Sequence, residues 1–156
     1  MNIRSIEGSD YYRISPIINE WWGGRQMADM VPKLFFEHFN NSSFIVEENG
    51  EIIGFLIGFV SQSQTNTAYI HFIGVHPNHR NMQIGKRLYH TFFQVMKRFN
   101  VEVIRCVTSP KNRNSIAFHT HMGFDIVEGD NVVDGISIHT QYDGINHDRV
   151  LFRKQI

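Results

Sequence analysis

The stretch "VHPNHRNMQIGKRL", residues 75–88, links a strand-like run to a helix-like run. The run before it, "TAYIHFIGV", is rich in β-branched and aromatic residues and ends at Val75. Pro77 follows and cannot donate to a strand ladder, so strand pairing is expected to stop there. Helical spacing of apolar residues begins near Gln83 and continues to Phe99. The stretch therefore predicts a loop that carries the chain from a strand into the first turn of a helix.

The first turn of this helix is a predicted anion site. A helix start leaves backbone N–H groups without partners, and the helix dipole adds positive potential there. Gly85 has no side chain, so a ligand can approach the backbone closely. Arg80, Lys86 and Arg87 can add charge-assisted hydrogen bonds. These properties suit a phosphate or pyrophosphate, although an ordinary strand-to-helix loop can contain the same glycine.

The chain as a whole predicts strands and helices in the order β-α-α-β-β-β-α-β-α-β-β, and thus a mixed sheet covered by helices. Gly23-Gly24 is expected to end the first helix, in which Pro16 fits only the first turn or a break. Asp29 is expected to cap the second helix. Asn49-Gly50 suits a type I′ turn between two strands.

Charge is unevenly distributed, although the formal net charge is zero. Eight of the 15 Lys and Arg residues lie within 76–113, where Glu102 is the only acid. This pattern is typical of a centrally bound anion or of a solvated basic helix face. Nucleic acid is a weaker candidate because the whole chain is not basic. The histidines show no recognised metal-ligand spacing, so no metal is expected. Cys106 lies in an apolar run typical of a buried structural thiol.

The stretch at 75–88 resembles the acyl-CoA-binding motif of the GNAT N-acetyltransferases, R/Q-x-x-G-x-G/A after a strand that ends in V-x-P. Arg80 takes the first motif position and Gly85 the last, whereas Gln83 replaces the middle glycine. The resemblance implies that the pyrophosphate of acetyl-CoA binds along this loop. It also implies that the N–H of Val75, aided by Gly74, donates to the oxyanion of acyl transfer. The implied cofactor-binding residues in this half are Val75, Arg80, Gln83, Ile84, Gly85 and Lys86.

A second stretch, "NRNSIAFHTHMGF" at 112–124, resembles the family's later motif N-x-x-A/S-x-x-x-Y/H-x-x-x-G-F. Its matching positions are Asn112, Ser115, His119, Gly123 and Phe124. The resemblance implies that Asn112 and Ser115 help to hold the CoA arm. Gly123 is also the expected C-terminal stop of the short helix that precedes it.

The two motifs in this order imply the GNAT fold. We expect one N-acetyltransferase domain over residues 1–156, of α/β class. Its twisted sheet should be mixed but mostly antiparallel, with about six or seven strands and about four flanking helices.

Two histidines are candidate catalytic residues. His71 lies on the strand before the loop, and alternation along that strand predicts that Tyr69, His71, Ile73 and Val75 share one face. An imidazole titrates near neutral pH, so His71 could take the proton of an amine, or it could be hydrogen-bonded inside the sheet. His119 occupies the position that the family places near the thioester sulfur. It could protonate the departing thiolate, or it could only position the pantetheine arm.

The acceptor pocket is expected from segments outside the two motifs. Trp22 and Arg25 lie in "EWWGGR", and Tyr142 and Asp143 lie in the polar loop "HTQYDGINHD". The acidic loop favours a cationic amine, whereas Arg25 favours a carboxylate on the acceptor. An amino acid or a similar zwitterion would suit both groups, but a solvated loop would show the same composition.

The resemblance implies an acetyl-CoA-dependent transfer of an acetyl group to a primary amine of a small molecule, amino acid or peptide, by direct attack in a ternary complex. A non-catalytic acyl-CoA sensor on the same fold is the alternative. The N-terminus has no apolar signal-like segment and no run reaches membrane-spanning length, so we expect a cytoplasmic protein. Partners other than acetyl-CoA and the amine are not expected, apart from a second copy of the chain in a homodimer.

Overall fold

The computed structural model describes residues 1–80 and 83–156, so Asn81 and Met82 of the loop motif lie outside the described residues. Within those ranges no helix is long and apolar enough to cross a membrane. The elements in chain order are β1 (Asn2–Ser5), α1 (Tyr11–Trp21), α2 (Leu34–His38), β2 (Phe44–Glu48), β3 (Glu51–Val60), β4 (Thr67–Val75), α3 (Ile84–Arg98), β5 (Val103–Thr108), α4 (Arg113–His121), β6 (Asp125–Ile126), β7 (Asn131–Val133), β8 (Ile136–Ile138) and β9 (Val150–Gln155).

The main sheet of the described residues has seven strands in the order β1-β2-β3-β4-β5-β9-β6. Its neighbouring strands run antiparallel except for β4 and β5, which are parallel because α3 carries the chain across between them. Strands β7 and β8 form a separate hairpin. The predicted fold class, a mixed and mostly antiparallel sheet with about four helices, is confirmed.

The parallel pair β4–β5 is short. Pairing runs from Thr67 opposite Val103 to Tyr69 opposite Arg105 and then stops. Beyond that point β4 stays paired with β3 and β5 stays paired with β9. The two strands therefore separate and leave an opening between residues 70–75 of β4 and 106–108 of β5, called the strand gap below.

Helices cover both faces of the sheet and bury two apolar clusters. The α3 face packs against α3 and α4, with Leu88 and Phe92 among its fully buried residues. The α1 face packs against α1 and α2, with Ile14, Phe36 and Phe55 fully buried. Aromatic rings occur in both clusters, as the 13 phenylalanines of the sequence suggest. The two cores hold the strand gap between rigid layers.

Short sequence signals predicted the turn after β2 and the ends of α1 and α4 correctly. Asn49 and Gly50 have φ values of 52° and 80°, as a type I′ turn between β2 and β3 requires. Gly23 follows α1 with φ 65°, and Gly123 follows α4 with φ 90°. A left-handed residue after a helix satisfies its last carbonyls, and glycine takes that conformation without strain.

Two expectations about the first helices are wrong. Pro16 lies inside an uninterrupted α1 rather than in its first turn or at a break. Pro16 and Tyr12 are both exposed, so water can reach the Tyr12 carbonyl that lacks its donor. Asp29 does not cap α2, because α2 begins only at Leu34 and Asp29 lies in a 3-10 turn where it accepts a hydrogen bond from Gln26.

Two glycines of β3 allow α3 to lie close to the sheet. A Cβ added at Gly54 would lie 2.7 Å from Cγ2 of Ile84, the first residue of α3. A Cβ added at Gly58 would lie 2.4 Å from Cε1 of Phe92. Neither distance is compatible with ordinary packing. The absence of side chains at these two positions therefore sets how α3 rests beside the strand gap.

We predict that Gly58→Ala destabilises the protein by about 1–3 kcal/mol, because the added methyl group overpacks the core against the Phe92 ring. Gly8→Ala is the matched control, since a Cβ there meets only Cγ of Glu37 at 3.5 Å. Urea unfolding of the three proteins measures both changes. Equal midpoints for Gly58→Ala and Gly8→Ala would show that α3 does not depend on this close contact.

Candidate active site

Strand β4 contains a bulge at His71. Opposite it, Ile57 of β3 pairs with Phe72, and the next residue, Gly58, pairs with Ile70. Two consecutive residues of β3 thus span three residues of β4, and His71 is the extra one. A bulge of this kind bends its strand and changes which side chains point to which face.

The bulge overturns the predicted face assignment. His71 stacks on Phe35 with ring centroids 4.6 Å apart, on the α1 face, where Phe72 also lies. Ile73 and Val75 instead pack into the cluster on the α3 face. The expectation that Tyr69, His71, Ile73 and Val75 share one face is therefore wrong, because simple alternation fails across the extra residue.

Backbone groups of β4 point into the strand gap. The N–H of His76 donates to the carbonyl of Ile53 at 2.9 Å, which makes these two a hydrogen-bonded pair. Because such pairs alternate along an antiparallel ladder, Gly74 bonds β3 while Ile73 and Val75 turn their N–H groups away from β3. The N–H of Gly74, which was expected to aid Val75, is therefore bonded to β3, whereas the N–H groups of Ile73 and Val75 both point into the gap.

Strand β5 presents backbone groups from the other side. The N–H of Ile156 donates to the carbonyl of Glu102 at 2.9 Å, so the even-numbered residues of β5 bond β9. Val107 therefore turns its N–H and carbonyl toward β4, into the gap. An extended ligand with amide groups could pair with both edges as an added strand would.

The first turn of α3 presents backbone N–H groups at the mouth of the gap. The first intrahelical hydrogen bond runs from the N–H of Arg87 to the carbonyl of Gln83. No residue in the described part of the chain accepts a hydrogen bond from the N–H of Ile84, Gly85 or Lys86. These donors and the positive end of a 15-residue helix dipole lie where the sequence predicts an anion site.

Gln83 explains how the motif works without its middle glycine. Its φ is 58° and its ψ is 27°, the left-handed conformation that glycine adopts without strain. For a side-chain-bearing residue this conformation costs about 1–2 kcal/mol. Gln83 therefore adopts, at the position of the motif's middle glycine, a conformation that a glycine would adopt without strain.

The side chain of Arg80 forms hydrogen bonds with two segments that border the gap. Its Nη2 donates to the carbonyl of Trp21, the last residue of α1, at 2.7 Å, and its Nε donates to the carbonyl of Val75 at 3.3 Å. The guanidinium thus links the end of α1 to the end of β4 at the mouth of the gap. Both acceptors are carbonyl oxygens, so the positive charge of Arg80 is not neutralised by a carboxylate in these contacts.

The second motif builds α4. The Oδ1 of Asn112 accepts a hydrogen bond from the N–H of Ser115 at 3.1 Å and so caps the helix. At the other end the N–H of Phe124 donates to the carbonyl of His119 across Gly123, as in a Schellman C-cap. Each motif position therefore has a local structural role, and α4 is held against the start of α3, where Phe118 approaches Gly85.

His119 lies in the core with both ring nitrogens engaged. Nδ1 lies 2.7 Å from the carbonyl oxygen of Ser115, which can only accept, so Nδ1 carries the proton. Nε2 then accepts from the hydroxyl of Tyr89 at 2.7 Å. The ring also stacks on Phe152. Burial lowers the pKa of His119, so the imidazole is neutral near pH 7 and has no spare proton directed at a ligand.

His71 differs from His119 because one of its nitrogens is not engaged. Its Nε2 lies 2.6 Å from the carbonyl oxygen of Met30 and therefore donates. No described residue bonds Nδ1, which carries the lone pair of the neutral ring. The stacked Phe35 ring and this hydrogen bond fix the imidazole on the α1 face of β4, next to the strand gap.

The predicted acceptor residues lie at separate places on the α1 face. Trp22 packs on Phe72 with centroids 4.9 Å apart and stands over Gly74, so it forms a wall beside the gap. Arg25 is exposed in the turn after α1. Asp143 forms an ion pair with Arg149 at 2.7 Å, which reduces the charge that it can offer a cationic ligand.

Tyr142 borders a cavity of about 260 Å³ on the same face, called the Tyr69 cavity below. The cavity begins where the β4–β5 pairing ends, so it adjoins the strand gap. Sequence reasoning missed it because its walls come from four distant segments. Its lining residues are Phe59, Ser61, Gln64, Thr67, Tyr69, Arg105, Cys106, Val107, Tyr142 and Leu151.

The family model described as "Acetyltransferase (GNAT) family" matches residues 8–124, well over half of the 156. The chain belongs to the GNAT acetyltransferase family. The resemblance stated from the two motifs is thereby confirmed. Within the described residues no group of three or more His, Cys, Asp or Glu side chains could hold a metal ion.

One curated relative is the L-2,4-diaminobutyric acid acetyltransferase of Virgibacillus pantothenticus, 30% identical over 82 residues. That alignment covers 51% of this chain and 50% of the relative, so the chain spans about half the length of this protein.

Two solved structures share the fold at low identity. The diaminobutyrate acetyltransferase of Paenibacillus lautus, in complex with L-2,4-diaminobutyric acid and coenzyme A, has a TM-score of 0.71 at 21% identity, with 97% of this chain and 92% of that chain covered. A Salmonella typhimurium protein with its cofactor acetyl-CoA has a TM-score of 0.73 at 21% identity, with 99% and 93% covered.

We predict that His119 makes the protein less stable in mild acid. Its folded pKa is lower than the ordinary value of 6.5, so below pH 6.5 the unfolded chain binds a proton that the folded protein excludes. The contribution is constant above pH 6.5 and is lost progressively as the pH falls toward the folded pKa. Urea unfolding of wild type, His119→Gln and the exposed control His121→Gln at pH 8 to 5 measures it.

The His119→Gln protein should be less stable at pH 8, since it loses ring packing, but its stability should fall less steeply with acid. His121→Gln should follow wild type. Parallel pH curves for wild type and His119→Gln would show that His119 titrates normally in the folded protein.

Proposed function

We propose that the protein is an acetyl-CoA-dependent N-acetyltransferase that acts on a primary amine of a small molecule, amino acid or peptide by direct attack in a ternary complex. The observation that carries the proposal is the strand gap. It lies between the backbone donors at the start of α3 and a walled cavity on the α1 face. A cofactor and an acceptor could thus enter from opposite faces and meet between β4 and β5.

The cofactor fits the gap by its chemistry. The pyrophosphate would take the N–H groups of Ile84, Gly85 and Lys86, with the charges of Arg80 and Lys86 close by. The two amides of the pantetheine arm would pair with β4 and β5 as an inserted strand does. Asn112 uses its Oδ1 as a helix cap, which leaves its amide NH₂ to donate toward the arm, next to Ser115.

Acetyl transfer needs a neutral amine, an oxyanion site and a leaving thiolate. The amine nitrogen attacks the thioester carbon, its N–C bond forms, and the C–S bond then breaks to release the CoA thiolate. The N–H groups of Ile73 and Val75 point into the gap, where they can stabilise the oxyanion. Direct attack is favoured because burial raises the pKa of the Cys106 thiol and keeps this cysteine un-ionised.

The two histidines receive different roles. His71 offers the lone pair of Nδ1 beside the gap and is the proposed base for the amine proton. For His119 the geometry supports the positioning role over the acid role, because its proton is held by Ser115 and its lone pair by Tyr89. The thiolate can leave without a proton, since an ordinary thiol has a pKa of about 8.5, and solvent can protonate it later.

Similarity to a diaminobutyric acid acetyltransferase supports a small amine as the first acceptor to test. The release of free CoA thiol from acetyl-CoA, measured with a panel of amines, amino acids and peptides, tests turnover. Binding of acetyl-CoA without turnover of any amine would favour a non-catalytic sensor instead. The cytoplasmic location and the homodimer stay predictions from the sequence.

We predict that Lys86→Glu weakens acetyl-CoA binding by about 10-fold or more, because a carboxylate would replace a cation beside the pyrophosphate. The unliganded variant should keep its stability or gain slightly, since a negative charge is favourable in the first turn of a helix. Calorimetric titration measures the affinity. Lys97→Glu, in the last turn of the same helix, is the matched control and should bind normally. Equal affinities of the two variants would exclude a pyrophosphate at the start of α3.

We predict that His71→Gln lowers kcat by about 100-fold or more at pH 7, because the variant has no base for the amine proton. Glutamine can still donate to the Met30 carbonyl, so the variant loses the base but keeps this contact. His71→Phe, which keeps the stacking on Phe35, should lose activity to a similar degree. Retained activity in His71→Gln with loss in His71→Phe would assign His71 a positioning role instead.

A further inference from the structure

Three side chains form a row across neighbouring strands on the α1 face. Tyr69 of β4 pairs with Arg105 of β5, and Arg105 pairs with Arg153 of β9. Arg105 and Arg153 oppose each other at a position without mutual backbone hydrogen bonds, because the even-numbered residues of β5 make those bonds. Side chains are closest at such positions. Two cationic side chains therefore lie next to each other on one face of the sheet.

Neither guanidinium of this arginine pair forms an ion pair in the described part of the chain. No carboxylate lies within 4.0 Å of either guanidinium, although Asp125 of β6 is the strand partner of Arg153. Asp143, on the nearby loop, is already paired with Arg149. Like charges directly opposite each other weaken a sheet, and an anion bound at Arg105 would reduce that repulsion.

Arg105 also lines the Tyr69 cavity and makes no hydrogen bond to any described residue. Polar side chains of Ser61, Gln64 and Thr67 share the cavity wall. The cavity directly adjoins the strand gap, because Tyr69 and Arg105 are the last residue pair before β4 and β5 separate. Two residues along β5, about 7 Å away, Val107 already faces the gap. A small molecule could therefore reach both the guanidinium and the thioester.

We infer that Arg105 binds a carboxylate of the acceptor, so that the preferred acceptors are free amino acids rather than simple amines or peptides. The inference rests on the proposed function and names its substrate class. A guanidinium matches a carboxylate with two parallel hydrogen bonds, and the neighbouring Arg153 adds to the positive potential. The carboxylate would pair with the Arg105 guanidinium, which has no ion-pair partner among the described residues. This assigns to Arg105 the role that the sequence suggested for the exposed Arg25.

Amino acids and their decarboxylated analogues test the inference, because the members of each pair differ only in the carboxylate. The pairs are L-2,4-diaminobutyrate with 1,3-diaminopropane, and L-ornithine with 1,4-diaminobutane. Binding is measured by calorimetry to the protein saturated with CoA, which carries no acetyl group and cannot react. Wild type should bind the amino acid of at least one pair about 10-fold or more tightly than its analogue, the effect of one charge-assisted contact.

Arg105→Met should remove this preference, Arg105→Lys should keep part of it, and Arg25→Met should leave it unchanged. The unliganded Arg105→Met protein should be at least as stable as wild type in thermal unfolding, since it loses a like-charge contact. The same preference should appear in KM when acetyl-CoA is supplied.

Equal binding of the amino acid and its analogue in both pairs would overturn the inference, and so would a preference that persists in Arg105→Met. Either result leaves the proposed function standing if amines are acetylated. Conversely, Arg105-dependent binding of an amino acid without acetylation would support the inference and contradict the proposed transferase.

Discussion

The separation of β4 from β5 is the constraint on which the other features of the site depend. Each of the two strands pairs more extensively with its other neighbour. Strand β4 pairs with β3 along its length, and β5 pairs with β9 through six residues. Only three residue pairs hold β4 and β5 together. The N–H groups of Ile73, Val75 and Val107 have no backbone partner in the described part of the sheet, and polar backbone groups are costly to bury without one. A ligand with amide groups offers those partners, which is why the gap is better explained as a binding site than as a defect of the sheet.

The gap is useful only because α3 is fixed beside it. Gly54 and Gly58 let the helix rest directly on β3, and the left-handed Gln83 turns its first N–H groups outward. Arg80 then bonds both the end of α1 and the end of β4. The donors at the start of α3 are thus set by packing on two sides before any ligand arrives. Such preorganisation reduces the ordering cost of binding.

Sequence reasoning succeeded where the signal was local. The Asn49-Gly50 turn, the amphipathic α3 and the stop at Gly123 each follow from a few neighbouring residues, and the spacing of the two motifs identified the family. The Asp134-Gly135 turn between β7 and β8 carried a similar local signal, with φ values of 51° and 77°, and was overlooked.

The features that the sequence did not predict depend on the register between strands that are distant in the sequence. The bulge at His71 exists only relative to Ile57 and Gly58, and nothing in "TAYIHFIGV" indicates which residue is the extra one. The pairing of Arg105 with Arg153 needs the alignment of β5 and β9, which are more than 40 residues apart. Arg25 belongs to the aromatic-glycine segment "EWWGGR", which predicts a pocket wall, whereas Arg105 lies within a strand-like run that gives no such signal.

Amide NMR spectra recorded as acetyl-CoA is added give the most direct test of the strand gap. The account predicts the largest shifts at the N–H groups of Ile73, Val75, Gly85, Lys86 and Val107, with little change on β1 and β2. Shifts confined to the exposed face of α3, with Ile73 and Val107 unchanged, would show that the cofactor does not enter between β4 and β5.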